Sequence, residues 1–181
     1  EFRRVLFRSM VTTGGDNTHV IGVKGNFDDA QTGVKKLFGS EEFHQKMNEQ
    51  GKLPSSANSI NFGRLAPQIV YYFTTYTELV KRNQIRMGQE INFVVPTGNF
   101  GDILAGYYAK RMGLPIRKLI CASNRNNVLT DFFESGTYYT HRTFFKTMSP
   151  SMDILVSSNL ERLLFEYADR DPAVVKGWMQ Q

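Results

Sequence analysis

Cysteine is nearly missing from these 181 residues: Cys121 stands alone. A lone thiol closes no internal disulfide, so the fold depends on its apolar core, which fits a reducing cytoplasm. No apolar run approaches the ~20 residues that a membrane-crossing helix needs. Histidine is scarce as well. His19, His44 and His141 lie far apart without metal-ligand spacing, which argues against a zinc site. Internal repeats and low-complexity tracts are absent. The one glycine-rich turn lacks the Gly-Lys-Ser/Thr of a P-loop and the dinucleotide spacing, so ATP and NAD are disfavoured.

A strong charge of one sign is also wanting. The formal net charge is +5, and residues 1–9 (EFRRVLFRS) carry +2 of it, leaving +3. The remaining basic residues are scattered, as on solvated faces, which is weak support for nucleic acid binding. Residues 1–9 have neither the long apolar core nor the cleavage site of a signal peptide. They read as a vector- or adaptor-derived scar, with native sequence expected from about Met10. What the chain does have is 41% hydrophobic residues, enough for a real core in one domain or part of a larger one.

Along the chain, residues 19–23 (HVIGV) are expected to form a buried strand. A helix follows over 27–38, with Asn26 as N-cap, Asp28 and Asp29 in the first turn, Lys35 and Lys36 in the last, and Gly39 as stop. Its apolar face would be Phe27, Ala30, Val34, Leu37 and Phe38. A short helix is expected over 41–50. A long helical pattern runs over 64–81, where Pro67 fits only a first turn or a kink. Strand 91–95, helix 102–112, strand 117–122 and helix 127–134 come next. A loop covers 137–158, and helices at 159–167 (capped by Asn159) and 172–181 close the chain. Strands alternating with helices from Val20 to Glu134 predict an α/β fold with a parallel sheet.

The most informative stretch is Pro96-Thr97-Gly98-Asn99-Phe100-Gly101-Asp102. An apolar strand stops, a glycine turn intervenes, and a helix starts at once. Free backbone N–H groups and the helix dipole at such a point favour a phosphate, and Gly98 and Gly101 can take positive φ and admit an anion close to the backbone. From the loop alone, tight packing explains the glycines equally well. Asp102 would repel a phosphate dianion, so helix capping is its expected role. A second cluster, Asn58-Ser59-Ile60-Asn61-Phe62-Gly63-Arg64, places two amides, a hydroxyl and a guanidinium ahead of a helix. It could grip another oxyanion through Arg64, although the residues alone favour a capping cluster beside a surface arginine. Cys121 and the Tyr71, Tyr72, Phe73, Tyr76 group read as core, and Lys146 as a solvated loop lysine.

Taken together, PTGNFGDILAGYYAKRMGLP, SSANSINFGRLAPQIVYYF, KLICASNRNNVLTDFFESG and TMSPSMDILVSSNLERLLFE resemble the threonine synthase family, in the family's order, from about Met10 to Tyr167. That resemblance implies a pyridoxal-phosphate enzyme with the three-layer, parallel-sheet fold of the tryptophan synthase β type. Its reaction would turn O-phospho-L-homoserine and water into L-threonine and phosphate in the cytoplasm, without nucleic acid or membrane partners. By position, Gly98, Asn99, Phe100 and Gly101 would hold the phosphate of pyridoxal 5'-phosphate, with Thr97 and Asp102 at the edges. Asn58, Ser59, Asn61 and Arg64 would hold the substrate phosphate.

One departure stands out. The family's Schiff-base lysine belongs in a Phe-Lys-Asp type segment upstream of the glycine loop, and no lysine here has that setting. The residue that contacts the pyridine nitrogen is missing too. The expectation is therefore an internal fragment, inactive alone: residues 10–136 as part of the cofactor domain, and 137–181 continuing that domain. The alternatives are another pyridoxal-phosphate β-replacement or elimination enzyme of this fold, and a non-catalytic α/β module binding a phosphorylated ligand.

Overall fold

Residues 15–180 are described by the computed structural model; the expected scar over 1–9 and the start near Met10 lie outside them. Helix α1 (Phe27–Phe38) begins at a capping box, in which Asp29 N–H donates to Asn26 Oδ1 at 3.0 Å and Asn26 N–H to Asp29 Oδ2 at 2.8 Å. Helix α2 (Glu41–Glu49) follows from the Ser40 cap. The long pattern at 64–81 is broken where Pro67 sits: α3 (Phe62–Leu65), a 3₁₀ turn (Ala66–Gln68), then α4 (Ile69–Lys81).

A βαβ unit forms the centre. Strand β1 (Ile91–Pro96), helix α5 (Gly101–Arg111) and strand β2 (Ile116–Ala122) follow in order, and the strands pair in parallel. Helices α6 (Val128–Ser135), α7 (Leu160–Tyr167) and α8 (Pro172–Trp178) complete the chain, with a 3₁₀ turn at Pro150–Met152 inside the expected loop. The α/β class expected from the alternation is thus present.

The strand expected at 19–23 is not. Among the described residues these positions form no ladder, and Ile21 and Val23 are 84% and 64% exposed. Their apolar composition signals burial, but a strand also needs a neighbour for its N–H and C=O groups, and none of the described strands takes that place. The face expected on α1 is likewise largely uncovered: Ala30, Val34 and Leu37 are exposed and Phe38 is half-buried, while the Phe27 side chain lies outside what is described.

The core lies between β1–β2 and helices α4, α5 and α7, with Leu65, Tyr72, Leu104, Ala105, Ile116, Leu129 and Leu160 among its members. Tyr72 meets the Phe93 ring edge-to-face at 4.9 Å and donates its hydroxyl to the Asp102 carbonyl at 2.9 Å. Tyr72 and Tyr76 are buried and Phe73 packs against them, as expected, whereas Tyr71 faces solvent. Cys121 packs against the same core, and burial pushes its thiol up, keeping it protonated.

Candidate functional site

Both strands end at one edge, and the turns that leave them meet there, the usual place for a ligand in an α/β sheet. Thr97 continues the ladder: its N–H donates to Ala122 O at 2.8 Å, and its hydroxyl is spent on Val95 O at 2.7 Å. Beyond it the loop is clamped from outside by residues 157–159. Ser157 Oγ donates to Gly98 O at 2.5 Å, while Asn159 N–H and Nδ2 each donate to Asn99 O at 3.0 Å.

A trans peptide points its C=O and N–H in opposite directions, and no cis bond occurs among the described residues. Carbonyls 98 and 99 face the 157–159 segment, so the N–H groups of Asn99 and Phe100 face away from it. Helix α5 then starts without a side-chain cap: the N-cap residue is Phe100, left-handed at φ 63° and ψ 10°. No hydrogen bond among the described residues uses the N–H of residues 98 to 103. Six unengaged amide donors thus lie in succession at a helix N-terminus, beside a cavity of about 200 Å³ lined by Ser59, Gln68, Thr97–Ile103, Met152 and Ile154.

Two sequence expectations are corrected here. Neither Gly98 nor Gly101 has positive φ; Phe100 takes that conformation instead. The glycines are needed for closeness. A Cβ at 98 would lie 2.8 Å from Ile154 Cδ1, and one at 101 would lie 2.6 Å from Ser59 Oγ and 2.7 Å from Ser59 Cβ. Asp102 does not cap α5. Its carboxyl stands exposed beside the cavity, yet the surrounding protein strips enough water to push its pKa up, an effect that the neighbouring Tyr72 hydroxyl partly offsets.

Of the second cluster, only Ser59 reaches this cavity. Asn58 Oδ1 accepts from Ile60 N–H at 3.1 Å. Asn61 Oδ1 caps α3 through Gly63 N–H at 2.9 Å, and its Nδ2 donates to Ser56 O at 3.0 Å. Arg64 is exposed, with Nε donating to Ala57 O at 3.3 Å. The capping role foreseen for Asn159 also fails, because its side chain makes no cap bond. Its Nδ2 donates to Ser59 Oγ at 2.9 Å as well as to Asn99 O, and its Oδ1 accepts from Arg162.

Sequence reasoning missed Ser157, Asn159, Arg162 and Asp153. Buried Asp153 accepts from Asn124 Nδ2 (2.8 Å), Asn126 Nδ2 (3.2 Å), Thr147 N–H (2.9 Å) and Thr147 Oγ1 (2.6 Å). It thereby fixes the loop that carries Met152 and Ile154 to the cavity. The available signal was Ser157-Ser158-Asn159 with Arg162 just behind, the same residue chemistry as in the 58–64 segment.

The residues fit a phosphate. Backbone dipoles supply the positive field, and the cavity is roomy enough for a tetrahedral anion. Buried Asn99 Oδ1 and Gln68 Oε1 lack partners and would accept from a protonated phosphate oxygen or from water. No lysine, arginine, histidine or cysteine lines the cavity among the described residues. No group of metal-ligating side chains occurs among them either.

No protein-family model matches the chain. It is 51% identical over 158 residues to mouse threonine synthase-like 1, covering 86% of this chain and 21% of that protein. It is 46% identical over 168 residues to threonine synthase of Pseudomonas aeruginosa, covering 93% of this chain and 34% of that protein. A solved threonine synthase from Brucella melitensis, bound to pyridoxal phosphate, matches with TM-score 0.75 and 49% identity over 93% of this chain. Over most of its own length the chain is similar to threonine synthases. It spans 34% of the Brucella threonine synthase chain, so about a third of a whole threonine synthase. Its α/β architecture is a stretch of the threonine synthase fold.

Proposed function

We propose that the glycine loop holds the phosphate of pyridoxal 5'-phosphate and that the chain is the phosphate-binding part of a threonine synthase. The uncapped start of α5 carries this reading, with six unengaged amides on residues that line the cavity. Gly98, Asn99, Phe100 and Gly101 bind through their backbone. Thr97 anchors the loop to the sheet, and Asp102 keeps a carboxyl at the rim. The substrate is O-phospho-L-homoserine, converted with water to L-threonine and phosphate. Ser59 stands at the cavity wall as the nearest member of the substrate-phosphate set. Asn58 and Asn61 shape the turn that presents Ser59 and Arg64, whose guanidinium projects from α3.

The cofactor, when bound, supplies the electron sink for this chemistry. This chain's own residues contribute orientation and electrostatics, and the covalent anchor belongs to another part of the enzyme, a reading supported by the lack of lysine in the cavity lining among the described residues. Among the described residues no helix is long and apolar enough to cross a membrane, and the half-buried, protonated Cys121 suits a reducing cytoplasm.

The test is a titration of the 181-residue chain with pyridoxal 5'-phosphate and, separately, with inorganic phosphate, followed by calorimetry. Both should bind, and phosphate should compete with the cofactor. Cofactor binding that phosphate leaves untouched would overturn the proposal.

A further inference from the structure

We infer that Asn159 is the positioning residue of the anion site: it locks the glycine loop and the Ser59 hydroxyl into one register, with Arg162 bracing it from behind. This rests on the phosphate reading above. The Asn99 carbonyl receives two hydrogen bonds from Asn159, both at 3.0 Å, which fixes the direction of the Phe100 N–H in the same peptide plane. The other acceptor of Asn159 Nδ2 is Ser59 Oγ at 2.9 Å.

That second bond sets a proton. A hydroxyl has one donor and two acceptor sites. With Ser59 Oγ accepting from Asn159, its own hydrogen must be donated elsewhere, here to Asn58 Oδ1 over a long 3.4 Å, a bond weak enough for an anion in the cavity to replace. Ser59 also lines the cavity beside the loop amides, so its O–H becomes a further donor to a bound anion.

Arg162 holds the arrangement from the rear. Its fork donates to Ser59 O at 2.8 Å and Ile60 O at 2.7 Å, and it also bonds Asn159 Oδ1. Asn159 is wholly buried, so its amide cannot trade these partners for water. Four chain segments, 58–60, 98–101, 157–159 and α7, thus depend on a single side-chain amide.

The experiment compares inorganic phosphate binding by the full chain and its variants, with circular dichroism as a check on folding. Asn159→Asp keeps the acceptor for Arg162 but turns a lone pair toward Asn99 O and invites the Ser59 proton away from the cavity. It should bind phosphate about tenfold more weakly while folded. Ser59→Ala should also weaken binding, and the double variant should be scarcely weaker than either single one. Val175→Ala, which trims a buried side chain of α8, should lower stability without changing affinity. Should Asn159→Asp fail to fold, Arg162→Lys replaces it and should show a several-fold loss.

Wild-type affinity in folded Asn159→Asp, or in Arg162→Lys where that variant stands in, would overturn the inference and leave the phosphate reading standing. Fully additive losses in the double variant would overturn it likewise. A wild-type chain that binds neither phosphate nor pyridoxal 5'-phosphate would remove the phosphate reading, and this inference with it.

Discussion

Gly101 is the point at which the two polar segments touch, and its missing side chain leaves the room that Ser59 occupies. Alanine there would press on Ser59 Oγ and Cβ, whose segment is itself tied to Arg162 and cannot easily retreat. Gly101→Ala should cost about 1–3 kcal/mol of stability, as overpacking does, and should abolish phosphate binding; urea melts and calorimetry would show both. Asp102 acts in the opposite sense. Desolvation raises its pKa, so its carboxyl keeps its proton to a higher pH than in the unfolded chain, and stability falls as pH rises through its folded value. The ionised form then also repels an anion at the rim. Phosphate affinity should therefore fall as pH rises through that window while inorganic phosphate remains a monoanion, and Asp102→Asn should bind at a constant level. An equal fall in both proteins would exclude Asp102 as the cause.

At the level of elements, local signals served well where the partner is local. The capping box of α1 is readable from Asn26 and Asp29, and Asn26→Ala should cost about 1 kcal/mol. That loss should appear as faster amide exchange within 27–38, with β1 and β2 unchanged. Helix α5 and both strands emerged within a residue or so of their expected ends, because apolar period and glycine stops coincide there. Asn159 was misread for a physical reason. An asparagine before an apolar helical pattern is a capping signal, and its true partner, the Asn99 carbonyl, lies 60 positions upstream. The loop glycines are expected to take positive φ and admit an anion; neither has positive φ, and protein atoms make the close approach, Ile154 to Gly98 and Ser59 to Gly101, as the tight-packing alternative has it. Asp153 shows the same blindness to distance. Its four donors come from two loops, and Asp153→Ala should lower stability by about 2–3 kcal/mol in urea melts, since each orphaned donor is costly.

At the scale of the molecule, helices among the described residues cover one face of the sheet and leave the other bare. The register places Phe93 beside Leu119 and Val95 beside Cys121 on the covered side. On the opposite side Val94 pairs with Ile120, and these are 63% and 42% exposed. Parallel sheets are stable when both faces are buried, and a two-stranded one offers two unpaired edges as well. The chain spans only 21–34% of the relatives it matches, so the layer that would cover Val94 and Ile120 has no counterpart among the described residues. The uncovered pair, together with exposed Ile21, Leu37 and Leu53, makes an apolar surface that water disfavours. The chain alone should therefore self-associate as its concentration rises, in light scattering or sedimentation. Replacing Val94 and Ile120 together by lysine puts two charges on the bare face without touching the helix-covered one. That double variant should stay monomeric with its helical signal intact. Association as strong as in the wild type would shift the cause to the strand edges or to the exposed 20–53 region, where further lysines at Leu37 and Leu53 would then be the ones to act.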